Sequence, residues 1–278
     1  MTNKTITLIF SKDRPLQLDL CLRSYFDKCV GHENTDVYVL FKATSDRYLD
    51  AYLELSEDFI EVTFFQENSF KDNLLAILNR EQYENVFFVV DDNVFVKDFN
   101  INEITESIKS DKVLGFSLRL GKNTTYCYSH DANQRVPEMF AGKIDGIYGY
   151  EWYDQDLDFG YSLELSSSVY KVKDIWSILF LGHYLNPNDL EWSMYLAIHK
   201  YMNIKYLLCY ENSVAFCNPI NKVQSTNNNR NMNDDCYSAE NLLKMFENGY
   251  RIDPKIFYGF VPNACHQEVR FLDERTAG

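Results

Sequence analysis

Hydrophobic positions along the first ninety residues switch between two periods. Short, almost uninterrupted apolar runs occur at 5–10 (TITLIF), 36–41 (DVYVLF), 60–65 (IEVTFF) and 85–90 (NVFFVV). Their length and their β-branched and aromatic content predict buried strands. Between them the apolar positions fall on single helical faces. Leu18, Cys21, Leu22 and Tyr25 follow Pro15, which suits a first helical turn, and Phe70, Leu74, Ile77 and Leu78 follow Ser69. A further helix is predicted over 47–55, with Thr44 or Ser45 as its cap. Repeated strand–helix units predict a doubly wound α/β layer, whose ligands bind beyond the carboxyl ends of the strands.

The pattern loosens afterwards. Strands are predicted at 112–119, 162–172 and 205–209, and a short helix at 172–181. Leu190, Met194, Ala197, Ile198 and Tyr201 form a helical stripe after Pro187, and a last helix covers 238–248 with Gly249 just past its end. Residues 121–162, rich in Gly, Tyr and Asp, read as short strands and loops. The Asn-rich run at 221–235 reads as a mobile polar loop. With no internal repeat and no Pro- or Ser-rich linker, the expectation is one continuous unit over 1–278, divided near 120.

A hydrophobic content of 46% supports a sizeable core. Twenty-seven Lys and Arg against 41 Asp and Glu give a net charge of −14, which argues against nucleic acid or an anionic membrane as a general partner. A local basic pocket for a small phosphate ligand is compatible with that charge. No apolar run approaches the ~20 residues of a membrane span. The opening MTNKTITLIFSKDRP lacks the apolar core of a secretory signal, and the seven cysteines form no CxxC pair. Both features point to a reducing, cytoplasmic setting.

The densest chemistry is Val89-Val90-Asp91-Asp92-Asn93. Two adjacent carboxylates at the end of a buried strand repel each other and attract a hard cation, Mn²⁺ or Mg²⁺, which could bridge a diphosphate. The same residues would also make an ordinary polar turn. Ser11, Lys12, Asp13 and Arg14 form the loop after the first strand, and Lys71, Asp72 and Asn73 open a helix facing the same edge. Asp189 and Glu191 begin the helix after Pro187, where a helix dipole favours acids whatever their task. Tyr148, Tyr150, Trp152 and Tyr153, beside Asp154, Asp156 and Asp158, suit either a sugar cleft or an aromatic core edge.

The sequence F-V-V-D-D-N-V-F at 88–95, with TLIFSKDRP at 7–15 and FKDNLLAILN at 70–79, resembles the GT-A glycosyltransferases, especially family-2-like enzymes. The resemblance covers about the first 120 residues closely and the rest loosely. It implies a Rossmann-like, mainly parallel sheet flanked by helices, with a less regular, mixed acceptor-binding region after residue 120. It implies an enzyme that moves a hexose from a nucleotide-sugar donor to a glycan or glycolipid hydroxyl, with inversion and with Mn²⁺ or Mg²⁺. Asp92 becomes the leading metal ligand and Asp91 a ribose or metal contact. Asn93 stands where the family carries an acid, and His266 is a candidate further ligand. Ser11, Lys12, Asp13, Arg14 and Lys71 would contact the nucleotide, and Glu191 or Asp189 would act as general base. Read by its residues alone, the Asn-rich run is either a lid whose Lys222 and Arg230 close over the diphosphate or, as its composition favours, a disordered loop. Two other readings stand beside the transferase: an inactive relative that only binds nucleotide or glycan, and a sugar nucleotidyltransferase. The absence of glycine from SKDRPLQ counts against the second.

Overall fold

The computed structural model describes residues 5–80, 83–223, 230–232 and 234–272. The first part contains β1 (Thr5–Lys12), α1 (Pro15–Lys28), the short β2 (Cys29–Val30), β3 (Thr35–Lys42), α2 (Asp46–Asp58), β4 (Val62–Gln66), α3 (Phe70–Arg80) and β5 (Asn85–Val90). Next come β6 (Asn93–Phe95), β7 (Phe99–Asn100), α4 (Ile101–Ser107) and β8 (Val113–Ser117). The remainder holds β9 (Tyr126–Cys127), β10 (Ala132–Asn133), β11 (Phe140–Ala141), β12 (Ile147–Glu151), α5 (Leu157–Gly160), β13 (Ser168–Lys171), α6 (Val172–Leu181), α7 (Pro187–Leu196), β14 (Tyr206–Tyr210), β15 (Ala215–Cys217) and α8 (Ala239–Glu247).

Nine strands form one sheet in the order β11-β12-β14-β8-β13-β5-β1-β3-β4. All run one way except β13 and β12, which run against their neighbours. Thr5 is level with both Thr35 and Asn85, so β1, β3 and β5 end at one edge of the sheet. The chain builds outward from β1 to β3 and β4, then returns to the other flank of β1 to lay down β5. That reversal opens a crevice between the ends of β1 and β5.

The uninterrupted apolar runs are explained by burial on both faces of the sheet. Ile6, Leu8 and Phe10 of β1 pack toward α3, α6 and α7, whereas Ile9 packs on the opposite side with α1 and α2. α8 covers the outer side of α1, so Gln17 and Asp19 are buried along with its apolar stripe. Asp19 is held there by Arg23 at 2.9 Å.

Two expected elements differ from what the periodicity predicts. Of 162–172, only Ser168–Lys171 is strand. Upstream, the Tyr170 hydroxyl accepts from Glu164 N and donates to Ser162 O, and Ser167 takes a φ of +71°, so Leu163 and Leu165 are buried without strand pairing. Within 221–235, residues 224–229 and 233 lie outside the described residues. Asn221 at its start is buried and hydrogen-bonded, and Asp235–Tyr237 form a 3₁₀ turn. No helix among the described residues is long and apolar enough to cross a membrane.

Candidate nucleotide and transfer site

A cavity of about 490 Å³ opens beyond the carboxyl ends of β1, β3 and β5, a volume within the range of small-molecule sites. Ser11, Lys12 and Arg14 line it from the β1–α1 loop, Asp91 and Asp92 from the end of β5, and Arg119 from beyond β8. Asp158 and Tyr161 come from α5 and just after it, Glu191 from α7, and Lys222, Arg230 and His266 from the later chain. Lys12, Arg14, Lys42, Arg119, Lys222 and Arg230 thus collect in one hollow of a chain whose net charge is −14. Glu67, Asp91, Asp92, Asp158 and Glu191 line the same hollow, and Arg14, Lys42, Arg119 and Arg230 are paired with carboxylates, so the lining mixes both charges in near balance.

Asp91 is committed on both oxygens. Oδ2 accepts from Ser11 Oγ at 2.9 Å and Lys12 N at 3.2 Å, and Oδ1 accepts from Arg14 Nη1 at 3.0 Å. The same Nη1 reaches Asp92 Oδ2 at 3.2 Å, while Arg14 Nε and Nη2 donate to Asn221 Oδ1 and O at 2.9 and 2.5 Å. One guanidinium therefore joins the first loop, both acids and the later chain. Burial works against the charge of Arg14, but Asp91 and Asp92 outweigh it and raise its pKa. Asp92 is pushed up to about 6, chiefly by burial, with repulsion from Asp91 adding to the rise and Arg14 opposing it.

Strand pairing brings His266 to the same wall. β6, directly after Asp92, pairs with β15, and Cys217 of β15 bridges to His266. Burial and then the nearby Arg119 lower the imidazole to about 3, so it is neutral at physiological pH. Its Nε2 lies 3.4 Å from Arg119 Nη1. Among the described residues no three His, Cys, Asp or Glu side chains converge as a metal cluster. Arg14 occupies one oxygen of Asp92, and Arg119 donates toward the lone pair of His266 Nε2, which leaves the second oxygen of Asp92 as the open donor of the two side chains. An open carboxylate oxygen at a strand end is a donor that suits a hard cation.

Several residues singled out in the sequence turn elsewhere. Asn93 is buried; its Oδ1 accepts from Val90 N at 2.9 Å and its Nδ2 faces Cys217 Sγ, so it closes the Asp91–Asp92 turn instead of serving a cation. Asp13, at φ +52°, accepts from Thr44 N and Oγ1, both at 2.9 Å, and latches two loops together. Lys71 donates to Gly182 O at 2.6 Å and pins the end of α6. Asp189 accepts from Asn186 Nδ2 at 2.8 Å, while Asn186 Oδ1 accepts from Asp189 N at 3.0 Å. This reciprocal cap draws Asp189 away from the cavity. Tyr150 and Trp152 are core, with the indole donating to Ile204 O at 2.6 Å, so that aromatic cluster is a core edge. Of its acids, Asp158 lines the cavity.

Glu191, two residues beyond Asp189, does face the cavity. Its Oε1 accepts from Leu165 N at 3.1 Å. Burial raises its pKa, while the Leu165 amide, the Arg119 charge and the Tyr161 hydroxyl limit the rise. The sequence reading passed over Arg119 and Glu164. Arg119 is 6% exposed and pairs with Glu164 at 2.8 Å, and its Nε has no hydrogen-bond partner among the described residues. Burial pushes Glu164 up to about 7 against the pull of Arg119 and hydrogen bonds from Ser168 Oγ and Ser166 N. A charge just after a buried strand, in Val113-Leu114-Gly115-Phe116-Ser117-Leu118-Arg119, is the same signal that drew attention to Asp91.

The fold and cavity define an α/β protein with a polar cavity at the switch point of its sheet. Sequence comparison makes the likeness more particular. The chain is similar to the bifunctional glycosyltransferase pgtA of Dictyostelium discoideum, 29% identical in an alignment of 250 positions that covers 80% of this chain and 32% of that protein. The chain spans about a third of that relative's length. No protein-family model matches. Solved structures overlap coarsely. TarS of S. aureus gives a TM-score of 0.49 at 13% identity, over 77% of this chain and 36% of that one. The mannosyltransferase PcManGT of Pyrobaculum calidifontis gives 0.43 at 11%, over 73% and 53%. A cytidylyltransferase of Leptospira borgpetersenii gives 0.41 at 12%, over 76% and 77%.

Proposed function

We propose that the chain is a glycosyltransferase that moves a sugar from a nucleoside-diphosphate sugar to a glycan or glycolipid hydroxyl, with inversion at the anomeric carbon. The observation that carries this reading is one cavity, at the ends of β1 and β5, whose lining brings Lys12, Lys222 and the Asp91–Asp92 turn together with the half-buried carboxylate of Glu191. The nucleoside lies against the Ser11–Arg14 loop, and the diphosphate is drawn toward Lys12, Arg119, Lys222 and Arg230. The acceptor oxygen bonds to the anomeric carbon as the bond from that carbon to the diphosphate oxygen breaks. The bonding pair leaves on the nucleoside diphosphate, and Glu191 takes the acceptor proton. Asp92 would hold a divalent cation, Mn²⁺ or Mg²⁺, and His266 would join it only by giving up Arg119. When bound, such an ion supplies charge neutralisation on the departing diphosphate.

With so few protein donors, the cation and the diphosphate should bind together. Calorimetry is expected to give weak Mn²⁺ binding alone and much tighter Mn²⁺ binding in the presence of UDP or GDP. Tight binding of the ion alone, or no mutual effect with either nucleotide, contradicts the assignment. Asp92→Asn should abolish the synergy while melting at or above the wild-type temperature without ligand. The sign follows from the pKa, which is raised from ~3.9 when unfolded to about 6 when folded. The folded state binds the Asp92 proton more tightly, so this stabilisation is complete below the unfolded pKa and lost as pH rises through about 6. The penalty present at pH 7 disappears in the Asn variant. Thermal shifts with UDP- and GDP-sugars, with and without Mn²⁺, test the whole reading. No shift with any donor, together with no donor hydrolysis, would sink it.

A further inference from the structure

The wall that carries Glu191 continues out of the cavity as a run of aromatic rings. α7 turns once per 3.6 residues, so buried Leu190 and Met194 face the core, Glu191 and Tyr195 share the next face, and Trp192 and Leu196 point outward. Tyr161 lines the cavity, and its hydroxyl engages Glu191. Its ring stacks on Tyr195, with centroids 5.5 Å apart and planes at 30°. Tyr195 stacks in turn on Trp192, at 5.4 Å and 23°. Near-parallel rings at these separations are slid across one another, so each leaves part of a face uncovered. Tyr195 is 41% exposed and Trp192 56% exposed. A staircase of aromatic faces thus leads from the candidate base into solvent.

We propose that Tyr161, Tyr195 and Trp192 form the acceptor subsite, and that the acceptor is a glycan of two or more sugars whose rings stack along these faces. This rests on the transferase reading above. The C–H-bearing faces of a pyranose carry the positive polarisation that an aromatic face attracts, while its edges carry hydroxyls that need polar partners. The inner end supplies such partners in Glu191, Asp158 and Asn188 on the cavity wall. A sugar that presents its hydroxyl to Glu191 meets Tyr161 and Tyr195, and the preceding sugar lies over Trp192.

The test uses the full chain and a panel of mono-, di- and trisaccharides. Direct binding is read by titration calorimetry without donor, and acceptor KM and kcat from transfer. Trp192→Ala and Tyr195→Ala are expected to weaken oligosaccharide binding and raise acceptor KM roughly 3- to 10-fold. They should erase the preference for di- over monosaccharides and leave donor hydrolysis and donor-induced melting shifts unchanged, and Trp192→Tyr should recover most of the affinity. Unchanged saccharide affinity and KM in both alanine variants overturns the proposal. So does vesicle binding, or a dimer in sedimentation, that Trp192→Ala abolishes while saccharide affinity stays constant. Absent donor binding in the wild type would count against the transferase reading, whereas absent saccharide binding with intact donor binding counts against this subsite alone.

Discussion

Glu191→Gln is expected to lower transfer by ~10²–10⁴-fold while leaving donor affinity unchanged, because the amide keeps the shape of the side chain but cannot take a proton. The reasons are positional. Glu191 is half-buried on the cavity wall, one oxygen is fixed by the Leu165 amide, and burial raises its pKa. A base with a raised pKa receives a proton more readily, but it is also silenced by acid sooner. The wild-type rate should therefore fall on the acid side at a pH above the ordinary glutamate range of ~4.3. The residual rate of the Gln variant should lack that limb. Asp189→Asn should keep transfer within a few-fold, since Asp189 is occupied with Asn186 at the helix cap. Equal losses in both variants, or an acid limb that survives in Glu191→Gln, would move the base elsewhere.

Arg119→Met is expected to produce the largest loss of stability. It strands Glu164, which is 3% exposed, without its cation, and breaking a buried pair in this way typically removes ~3–5 kcal/mol. At roughly 2–4 °C per kcal/mol for a domain of this order, the melting temperature should fall by about 6–20 °C. The loss should depend on pH. Glu164 already stands at about 7 with Arg119 present, and without it the carboxyl group rises further. The folded variant then holds that proton more firmly than the unfolded chain does, so it regains stability as pH falls from 8 to 5. The double variant Arg119→Met, Glu164→Leu should recover much of the loss at pH 7 without regaining diphosphate binding. Parallel wild-type and Arg119→Met stability curves across this pH range would refute the uncompensated charge as the cause.

The parallel half of the fold was legible because its strands are buried on both faces and its helices carry single stripes. Phe10, Val39 and Val89 announce their environment locally. Asp91 and Asp92 were legible for a related reason: charge directly after such a strand can only stand at its end. The later region was less so, because what shapes it is not periodic. The bend at 162–167 depends on a hydroxyl of Tyr170 and a positive φ at Ser167, neither of which leaves an apolar pattern. Asn93, Asp13 and Asp189 illustrate another gap. Each is polar and stands beside the site, yet each is absorbed by backbone amides within a few residues or in the next loop, a choice composition does not reveal. Arg119 carried the same strand-end signal as Asp91 but stood alone, without a second charge to draw notice. The grouping of Asp92 with His266 depends on the pairing of β6 with β15, a contact between distant parts of the chain.

The antiparallel insertion of β13 between β5 and β8 also has a consequence for biogenesis. β5 carries the acidic turn, yet the edge it turns away from β1 is closed by residues 168–171, where Ser168 meets Phe88 and Lys171 meets Asn85. A nascent chain that has just produced the Asp91–Asp92 turn therefore exposes the backbone edge of an Asn85–Val90 strand that is almost wholly apolar. Such an edge is a template for pairing with other chains until residue 171 has left the ribosome. The interval during synthesis between those two strands leaves this apolar edge open to misassembly, and a chaperone that covered it would protect the sheet.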